Sequence, residues 1–320
     1  MKLPKILKRI LTAGIALAMA ISVAGCGEDK GENFLNIATG GTAGTYYPIG
    51  TAISEIINKN VQGVNASAQS TGASVANVNM LAEGQVEMAI VQNDIAYYAV
   101  NGQNVFDKKI ENLRGIASLY PETFQFVTLI GSGIRNVEDM KGKRVAVGVK
   151  GSGVEANVRQ ILQAYNMTYD DIDEQFLSFA EGATALKNGT VDVACVTAGY
   201  PTPSVQDVAE QQRIRIIPLD EQKITTLIID YPFYTRTVIP AGVYKDFDQE
   251  IPTVSVMAIL VATDKIDDKT GYDLTKAIFS NTDKLVAAHS AAKSINKKSA
   301  LSGMGFIKMN AGAEKFLKEQ

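Results

Sequence analysis

The sequence predicts an α/β protein of two similar lobes with a ligand cleft between them, and three observations carry that reading. Short apolar runs that read as buried strands alternate with segments whose apolar residues recur every three to four positions, the period of a helix with one buried face. Leu81-Ala82-Glu83-Gly84-Gln85-Val86-Glu87-Met88-Ala89-Ile90-Val91-Gln92 matches Leu186-Lys187-Asn188-Gly189-Thr190-Val191-Asp192-Val193-Ala194-Cys195-Val196-Thr197 at Leu, Gly, Val, acid, Ala and Val, at an offset of 105. Nearly 290 residues remain once an export leader is set aside, more than one compact core usually holds.

The leader is residues 1–25. It carries Lys2, Lys5, Lys8 and Arg9 with no acid, then an apolar segment from Ile10 to Val23, too short for a spanning helix, then Ala24-Gly25 before Cys26. Small residues directly before a cysteine resemble the lipobox of bacterial lipoproteins, so Cys26 is expected to become the lipidated first residue of the mature chain. Residues 26–33 (CGEDKGEN) read as a polar tether. Without the leader the chain holds 27 basic against 34 acidic residues, a formal charge of −7, which argues against nucleic acid as a partner.

Phe34, Leu35 and Ile37 read as the first strand, and Ile49, Ala52, Ile53, Ile56 and Ile57 as one face of the helix after it. Between them lies Thr39-Gly40-Gly41-Thr42-Ala43-Gly44-Thr45-Tyr46-Tyr47-Pro48. Its glycines let the backbone approach another molecule, and Pro48 fits only a first helical turn. The free N–H groups of that turn suit an anion. The spacing is neither G-x-G-x-x-G nor G-x-x-x-x-G-K-[ST], so nucleotide binding is disfavoured. Next come a strand over 64–68, then Ser70-Thr71-Gly72-Ala73-Ser74 opening another helix, with further N–H and hydroxyl donors.

The second lobe copies this plan. A strand from Arg144 to Val149 runs into Gly151-Ser152-Gly153-Val154 and a helix over about 155–164. Ligands bind parallel-type sheets beyond the carboxyl ends of the strands. Gly41, Thr42, Gln92 and Asn93 sit at those ends in one lobe, and Ser152, Gly153, Thr197 and Ala198 in the other. The chain crosses between the lobes twice: Leu119-Tyr120-Pro121 precedes the β-rich run from Phe124 to Ile130, and Tyr231-Pro232 and Ile239-Pro240-Ala241-Gly242 punctuate the way back to a strand from Val254 to Ala262. Hinges are expected near 120–125 and 238–252. Helices over 274–288 and 313–317 are expected to cover the first lobe, giving lobe one as 34–120 plus 250–320 and lobe two as 121–249.

Cys195 is the one cysteine besides Cys26, and its apolar run places it in a core strand as a free thiol. His289 is the sole histidine and is expected near a helix end, where a cation suits the dipole. These counts leave no histidine triad, no Cys or His metal cluster and no cofactor motif. No histidine, thiol or paired carboxylate falls on the predicted rims, where Glu155 and Glu181 are the nearest acids, so an enzyme is disfavoured. Arg135, Arg144, Arg159 and Arg236 lie in or near lobe two, and periodicity leaves open whether one of them reads the ligand. Three candidate helix N-termini, after Gly44, Thr71 and Gly153, favour a small carboxylate.

The series Thr39-Gly40-Gly41 through Gly44-Thr45-Tyr46-Tyr47-Pro48, Gln69-Ser70-Thr71-Gly72-Ala73-Ser74-Val75, Ala89-Ile90-Val91-Gln92-Asn93-Asp94, Ala117-Ser118-Leu119-Tyr120-Pro121-Glu122, Gly142-Lys143-Arg144-Val145-Ala146-Val147-Gly148, Gly151-Ser152-Gly153, Tyr231-Pro232-Phe233-Tyr234 and Ile239-Pro240-Ala241-Gly242 resembles the TAXI solute-binding receptors of tripartite ATP-independent periplasmic (TRAP) transporters, over 34–317. The resemblance implies a type II periplasmic-binding-protein fold. Its lobes would close over a small organic anion, glutamate or a related carboxylate, and deliver it to an ion-gradient-driven TRAP permease. It maps ligand binding onto Gly41, Thr42, Tyr46, Tyr47, Ser70, Thr71, Gln92, Ser152, Gly153 and Thr197. The hydroxyl residues serve either as contacts or as helix caps, and the two tyrosines either as contacts or as packing under the turn. The lipobox departs from the soluble receptors of this kind and implies either a one-membrane cell or anchoring on the outer face of the cytoplasmic membrane. The alternatives are a receptor feeding a sensor kinase and, third, an enzyme on the same fold.

Overall fold

A computed structural model describes residues 33–319. The leader over 1–25, Cys26 and most of the tether lie outside the described residues. Asn33, expected in the tether, instead opens the first strand.

The first lobe begins with β1 (Asn33–Ala38), α1 (Tyr46–Asn60), β2 (Val64–Gln69), α2 (Ser74–Ala82), β3 (Met88–Gln92) and α3 (Asn93–Asn101). A long strand, β4 (Leu113–Leu129), leads on to β5 (Arg144–Ala146), α4 (Gly153–Ala164), β6 (Asp173–Gln175), α5 (Phe179–Lys187) and β7 (Val193–Ala198). Then follow α6 (Pro203–Gln211), β8 (Ile214–Ile217), α7 (Glu221–Asp230), β9 (Thr235–Ile239) and a second long strand, β10 (Ile251–Thr263). The chain closes with α8 (Asp268–Phe279), α9 (Thr282–Ala288) and α10 (Ala311–Lys318).

The strands form one hydrogen-bonded sheet in the order β2-β1-β3-β10-β4-β7-β5-β6, with β8 on β4 and β9 on β10. β1 and β3 are parallel, as are β5 and β6 and β5 and β7, as alternation with helices predicts. β10 runs antiparallel to both β3 and β4. The internal repeat is a repeat of structure. In each copy a helix, α2 or α5, ends at a glycine of positive φ, Gly84 at 71° or Gly189 at 69°, and the following strand ends at Gln92 or Thr197–Ala198.

The first crossing differs from expectation, because Tyr120-Pro121 does not interrupt a strand. β4 continues through it, with Pro121 opposite Met257 of β10. The Met257 N–H is accepted by the Asn93 side chain at 3.0 Å, so it has a partner although proline occupies the facing position. The register shifts between Ala258 and Ile259 and again between Leu260 and Val261, each shift leaving one extra residue on β4, Leu119 and Ile116. Such bulges bend a strand, and the bend separates two regions of core. Up to Tyr120 on β4 and from Ala258 on β10, side chains pack with Ile37, Ile53, Val78 and Leu274. From Phe124 on β4 and up to Val256 on β10, they pack with Val145, Ile161, Val196 and Ile216. Ile251, Val254 and Val256, expected with lobe one, therefore pack with the second lobe.

The C-terminal helix expected over 274–288 is two helices, broken at Ser280-Asn281, where neither residue continues the apolar face. His289 caps the second, and its Nδ1 accepts the Ala291 N–H at 3.1 Å. Burial pushes its pKa down, partly offset by the Pro201 carbonyl, so His289 is neutral rather than the cation expected there.

Cys195 lies in the core beside Phe126, Val145 and Val158, and burial pushes its thiol well above the ordinary range. Alkylation of the folded protein should therefore follow global opening of the second lobe, becoming fast only in denaturant. Rapid native-state labelling, read by intact mass, would place Cys195 at a surface instead.

Candidate functional site

The strand ends and helix starts of both lobes meet around one cavity. It encloses about 670 Å³ of space not filled by atoms, its open mouth included. The segment from Gly40 to Tyr46 leaves β1 and opens α1. Pro48 is the third helical residue, as its missing N–H requires. Gly72, Ala73 and Ser74 open α2, Gln92 caps α3, Ser152 and Gly153 open α4, and Ser178 and Phe179 open α5, all of them lining the same cavity. Five helix starts are thus built into the wall of this space, and some of their first-turn amides are already taken, those of Ile95, Glu155 and Glu181 by the side chains of Asp94, Ser152 and Ser178. Ala73 holds φ at 69°, a backbone conformation L residues rarely adopt, and its N–H is accepted by Thr71 Oγ1 at 3.1 Å.

Of the residues predicted from sequence, Gly41, Tyr46, Thr71, Gln92, Ser152, Gly153 and Thr197 line the cavity. Thr42 and Ser70 are exposed and Tyr47 is half-buried, and these three stand outside the lining. The Ser70 hydroxyl donates to the Gly40 carbonyl at 3.0 Å, which makes it a brace of the glycine turn. Ser152 is both lining and cap, accepting the Glu155 N–H. Thr71 is likewise committed, its hydroxyl lying against the carbonyl of Thr39 and the Asn77 side chain.

Sequence reasoning placed no acid here, and the structure corrects it. Glu122 lines the cavity and is buried, with one oxygen accepting the Tyr46 hydroxyl at 2.8 Å. It was missed because it sits in mid-strand on β4, which passes under the cavity, whereas the rim rule looks only at strand ends. The acids singled out from sequence do not line the cavity. Glu155 pairs with Arg159 and accepts from Tyr169, and Glu181 completes the capping box with Ser178. That box, Ser-x-x-Glu, was the legible signal for the α5 start that brings Phe179 to the wall. No arginine or lysine lines the cavity: Arg144 pairs with Asp192 and Arg236 with Glu221.

Beside the cavity a buried polar network joins α3 to α4 and to the segment before β9. Asn157 Nδ2 donates to Asp94 and to Tyr234 at 2.9 Å each, the Tyr234 hydroxyl donates to Gln160 at 2.6 Å, and Gln160 donates to Tyr98 at 2.9 Å. Gln92 Nε2 donates to Asn157 Oδ1 at 3.2 Å. A Cβ on Gly153 would overlap the Gln92 carboxamide, so only glycine allows α4 this close. Two buried polar atoms of the lining have no partner, Gln92 Oε1 and Thr197 Oγ1. Gln92 Oε1 is packed against Gly153 at the start of α4, and Thr197 Oγ1 is buried at the end of β7. Burial raises Asp94 to about 6, against the hydrogen bonds from Ile95 and Asn157 that hold it down. Burial also raises Glu122 well above the usual carboxylate range, with the charge of Asp94 adding to the effect and the Tyr46 bond opposing it. Among the described residues no group of His, Cys, Asp or Glu is arranged to hold a metal ion.

A family model described as the NMT1-like family matches residues 37–320. A structure described as a periplasmic transporter superposes with a TM-score of 0.56 at 10% identity, covering 89% of this chain and 92% of its own. PhnD1 from Prochlorococcus marinus (MIT 9301), in complex with methylphosphonate, gives 0.53 at 11% identity over 82% of this chain and 88% of its own. The ligand-binding component of an ABC-type import system from Staphylococcus aureus, with zinc bound, gives 0.50 at 10% identity over 89% and 83%. These likenesses establish the fold as that of the two-lobed type II periplasmic-binding proteins.

Asp94 gives the site a pH signature. Its folded-state pKa is raised from 3.8 to about 6, so the stability tied to its protonated form is fully present below about 4 and lost as pH rises through about 6. Asp94→Asn removes that dependence. The melting temperature of the variant minus that of wild type should therefore rise between pH 4 and 7, by an amount reflecting on the order of 3 kcal/mol at most. A difference that falls over this window would mean that Asp94 is stabilised as the ion.

Proposed function

Because the chain belongs to the NMT1-like family, we propose that it is an extracytoplasmic solute receptor that captures a small organic anion and hands it to a membrane transporter. One observation carries this reading: both lobes line a single cavity whose wall is built from five helix starts. Helix starts favour an anion by about 0.3–1 kcal/mol each, and up to ~2 when partly buried, and a cation gains nothing from them. A small carboxylate of the glutamate type fits a site with no lysine or arginine fork better than a phosphate ester does. Lobe one is taken as 34–120 plus 250–320, less the start of β10 up to Val256, which packs with the second core, and lobe two as 121–249. The hinge is taken to lie where β4 and β10 pass from one core to the other, and a ligand touching both rims favours the closed arrangement.

Two transporters remain to be separated. The motif resemblance to TAXI receptors supports a TRAP permease driven by an ion gradient. The name of the S. aureus neighbour supports an ABC importer. Uptake of labelled ligand into cells expressing the receptor with its permease should collapse with an ionophore in the first case and with ATP depletion at constant ion gradient in the second. Export with a lipid anchor at Cys26 rests on the leader sequence, and mass spectrometry of the mature protein tests it. A chain with an unmodified N-terminus elsewhere would overturn the anchor.

For the ligand, a thermal-shift screen of the domain with L-glutamate, succinate, methylphosphonate, spermidine and glucose is decisive. The carboxylates are expected to stabilise it, by ~2.7 kcal/mol at 100 times the dissociation constant. Small-angle scattering should show compaction with the same ligands. Stabilisation by spermidine or glucose alone would sink the anion reading.

A further inference from the structure

Three side chains at the floor of the cavity form a hydrogen-bonded chain. The Gln92 backbone N–H donates to Ser74 Oγ at 3.1 Å, Ser74 Oγ and Tyr46 Oη lie 3.3 Å apart, and Tyr46 Oη lies 2.8 Å from Glu122 Oε2. All three side chains line the cavity, and all three are buried. The proton count along this chain decides what it presents to a ligand. Two links join the three groups, and each link uses one hydroxyl proton. If Glu122 is ionised, Ser74 and Tyr46 supply those two protons and nothing is left over. If Glu122 is neutral, a third proton is left over, carried outward by Glu122, by Ser74 or, where Tyr46 accepts from both neighbours, by Tyr46, and all three side chains line the cavity.

We propose that Glu122 is the residue that reads the ligand's anionic group, acting as a neutral acid whose surplus O–H, delivered from itself or through Tyr46 and Ser74, donates into the cavity. This rests on the reading of the site as an anion receptor and adds to it the side chain that makes capture depend on pH. The surroundings hold Glu122 in that state. Tyr46 on α1 is its single side-chain donor, Tyr120 on β4 is buried close by, and Val256 faces it across the β10 pairing. Asp94 on α3 is the nearby competing acid, and it holds two donors, the Ile95 N–H and Asn157 Nδ2. Of two carboxyls in one low-dielectric region, the better solvated by donors takes the charge and the other keeps its proton. Burial and the neighbouring Asp94 act on Glu122 in that direction. A carboxyl that stays protonated to donate a hydrogen bond can meet a carboxylate without repulsion, which the ion could not.

The dissociation constants of L-glutamate, succinate, methylphosphonate and spermidine, measured by calorimetry from pH 5 to 9, test this on the full domain. For whichever anion binds, wild-type affinity should fall as pH rises, steepening toward about tenfold per pH unit once Glu122 loses its proton. Glu122→Gln keeps an N–H donor in place of the O–H and should bind with a flat profile. Because that variant retains Asp94, any slope surviving in it belongs to Asp94. Glu122→Leu should lose at least tenfold at every pH, with circular dichroism checking that it folds. The infrared difference between wild type and Glu122→Gln at pH 7 should carry the carbonyl stretch of a protonated carboxyl even without ligand. The proposal is overturned if that band is absent, or if an anion binds with a profile that Glu122→Gln leaves unchanged. Spermidine binding that tightens with pH and disappears in Glu122→Gln would show an ionised Glu122 and overturn it together with the anion reading. Anion binding with no contribution from Glu122 would leave the receptor assignment standing and remove only this inference.

Discussion

Everything in the molecule hangs on the antiparallel pairing of β4 with β10. A fold of two α/β lobes needs the chain to cross between them, and here both crossings are single strands that keep their hydrogen bonds to each other while their side chains change core. Backbone groups buried at the junction cannot go unpaired, so a ladder is the arrangement that satisfies them in passage. The bulges at Leu119 and Ile116 turn the strands from one core to the other without breaking the ladder. The floor of the cavity is therefore made of mid-strand residues, rigidly placed, and the walls of helix starts that each belong to one lobe.

This division explains which parts of the site were legible. The walls were: a glycine turn after an apolar run, a hydroxyl before a helical period and a repeated strand end all have local signatures, and Gly41, Tyr46, Thr71, Gln92, Ser152, Gly153 and Thr197 came from them. Thr42, Tyr47 and Ser70 shared those signatures and turned out elsewhere, because a loop motif fixes where the backbone goes before it fixes which side chain points inward. The floor was not legible. Glu122 follows a proline in a stretch that reads as a punctuated loop, and only pairing with a strand some 130 positions later makes it the middle of a ladder. The split at Ser280-Asn281 was missed for another reason: apolar residues recur on both sides of it, Leu274, Ala277 and Ile278 before and Leu285 after, and two polar residues between them are a weak local signal of a break.

The electrostatics follow a consistent rule. The protein is acidic overall and, among the described residues, no lysine or arginine lines the cavity, so attraction for the anion proposed above would come from peptide groups held in place by the fold. Such donors act at contact, where screening is weak, while the net charge acts from distances at which salt screens it within about 8–10 Å. Fixed dipoles need no counterion when the site is empty, whereas a buried arginine would carry a large desolvation penalty whenever the ligand left. For the receptor proposed above, which would have to release what it binds, the dipoles serve better.

The same economy of parts appears where the lobes touch. Gln92 ends a strand of the first lobe, caps α3, lines the cavity and donates to Asn157 of α4, while Gly153 makes room for it. Both ends of this carboxamide meet α4: its nitrogen donates to Asn157 and its oxygen is buried against Gly153. Drawing α4 away would break that donor bond and unpack the helix start from the strand end in one step. Gln92 therefore ties the two lobes at the rim of the cavity, so a movement of one lobe against the other also changes the lining.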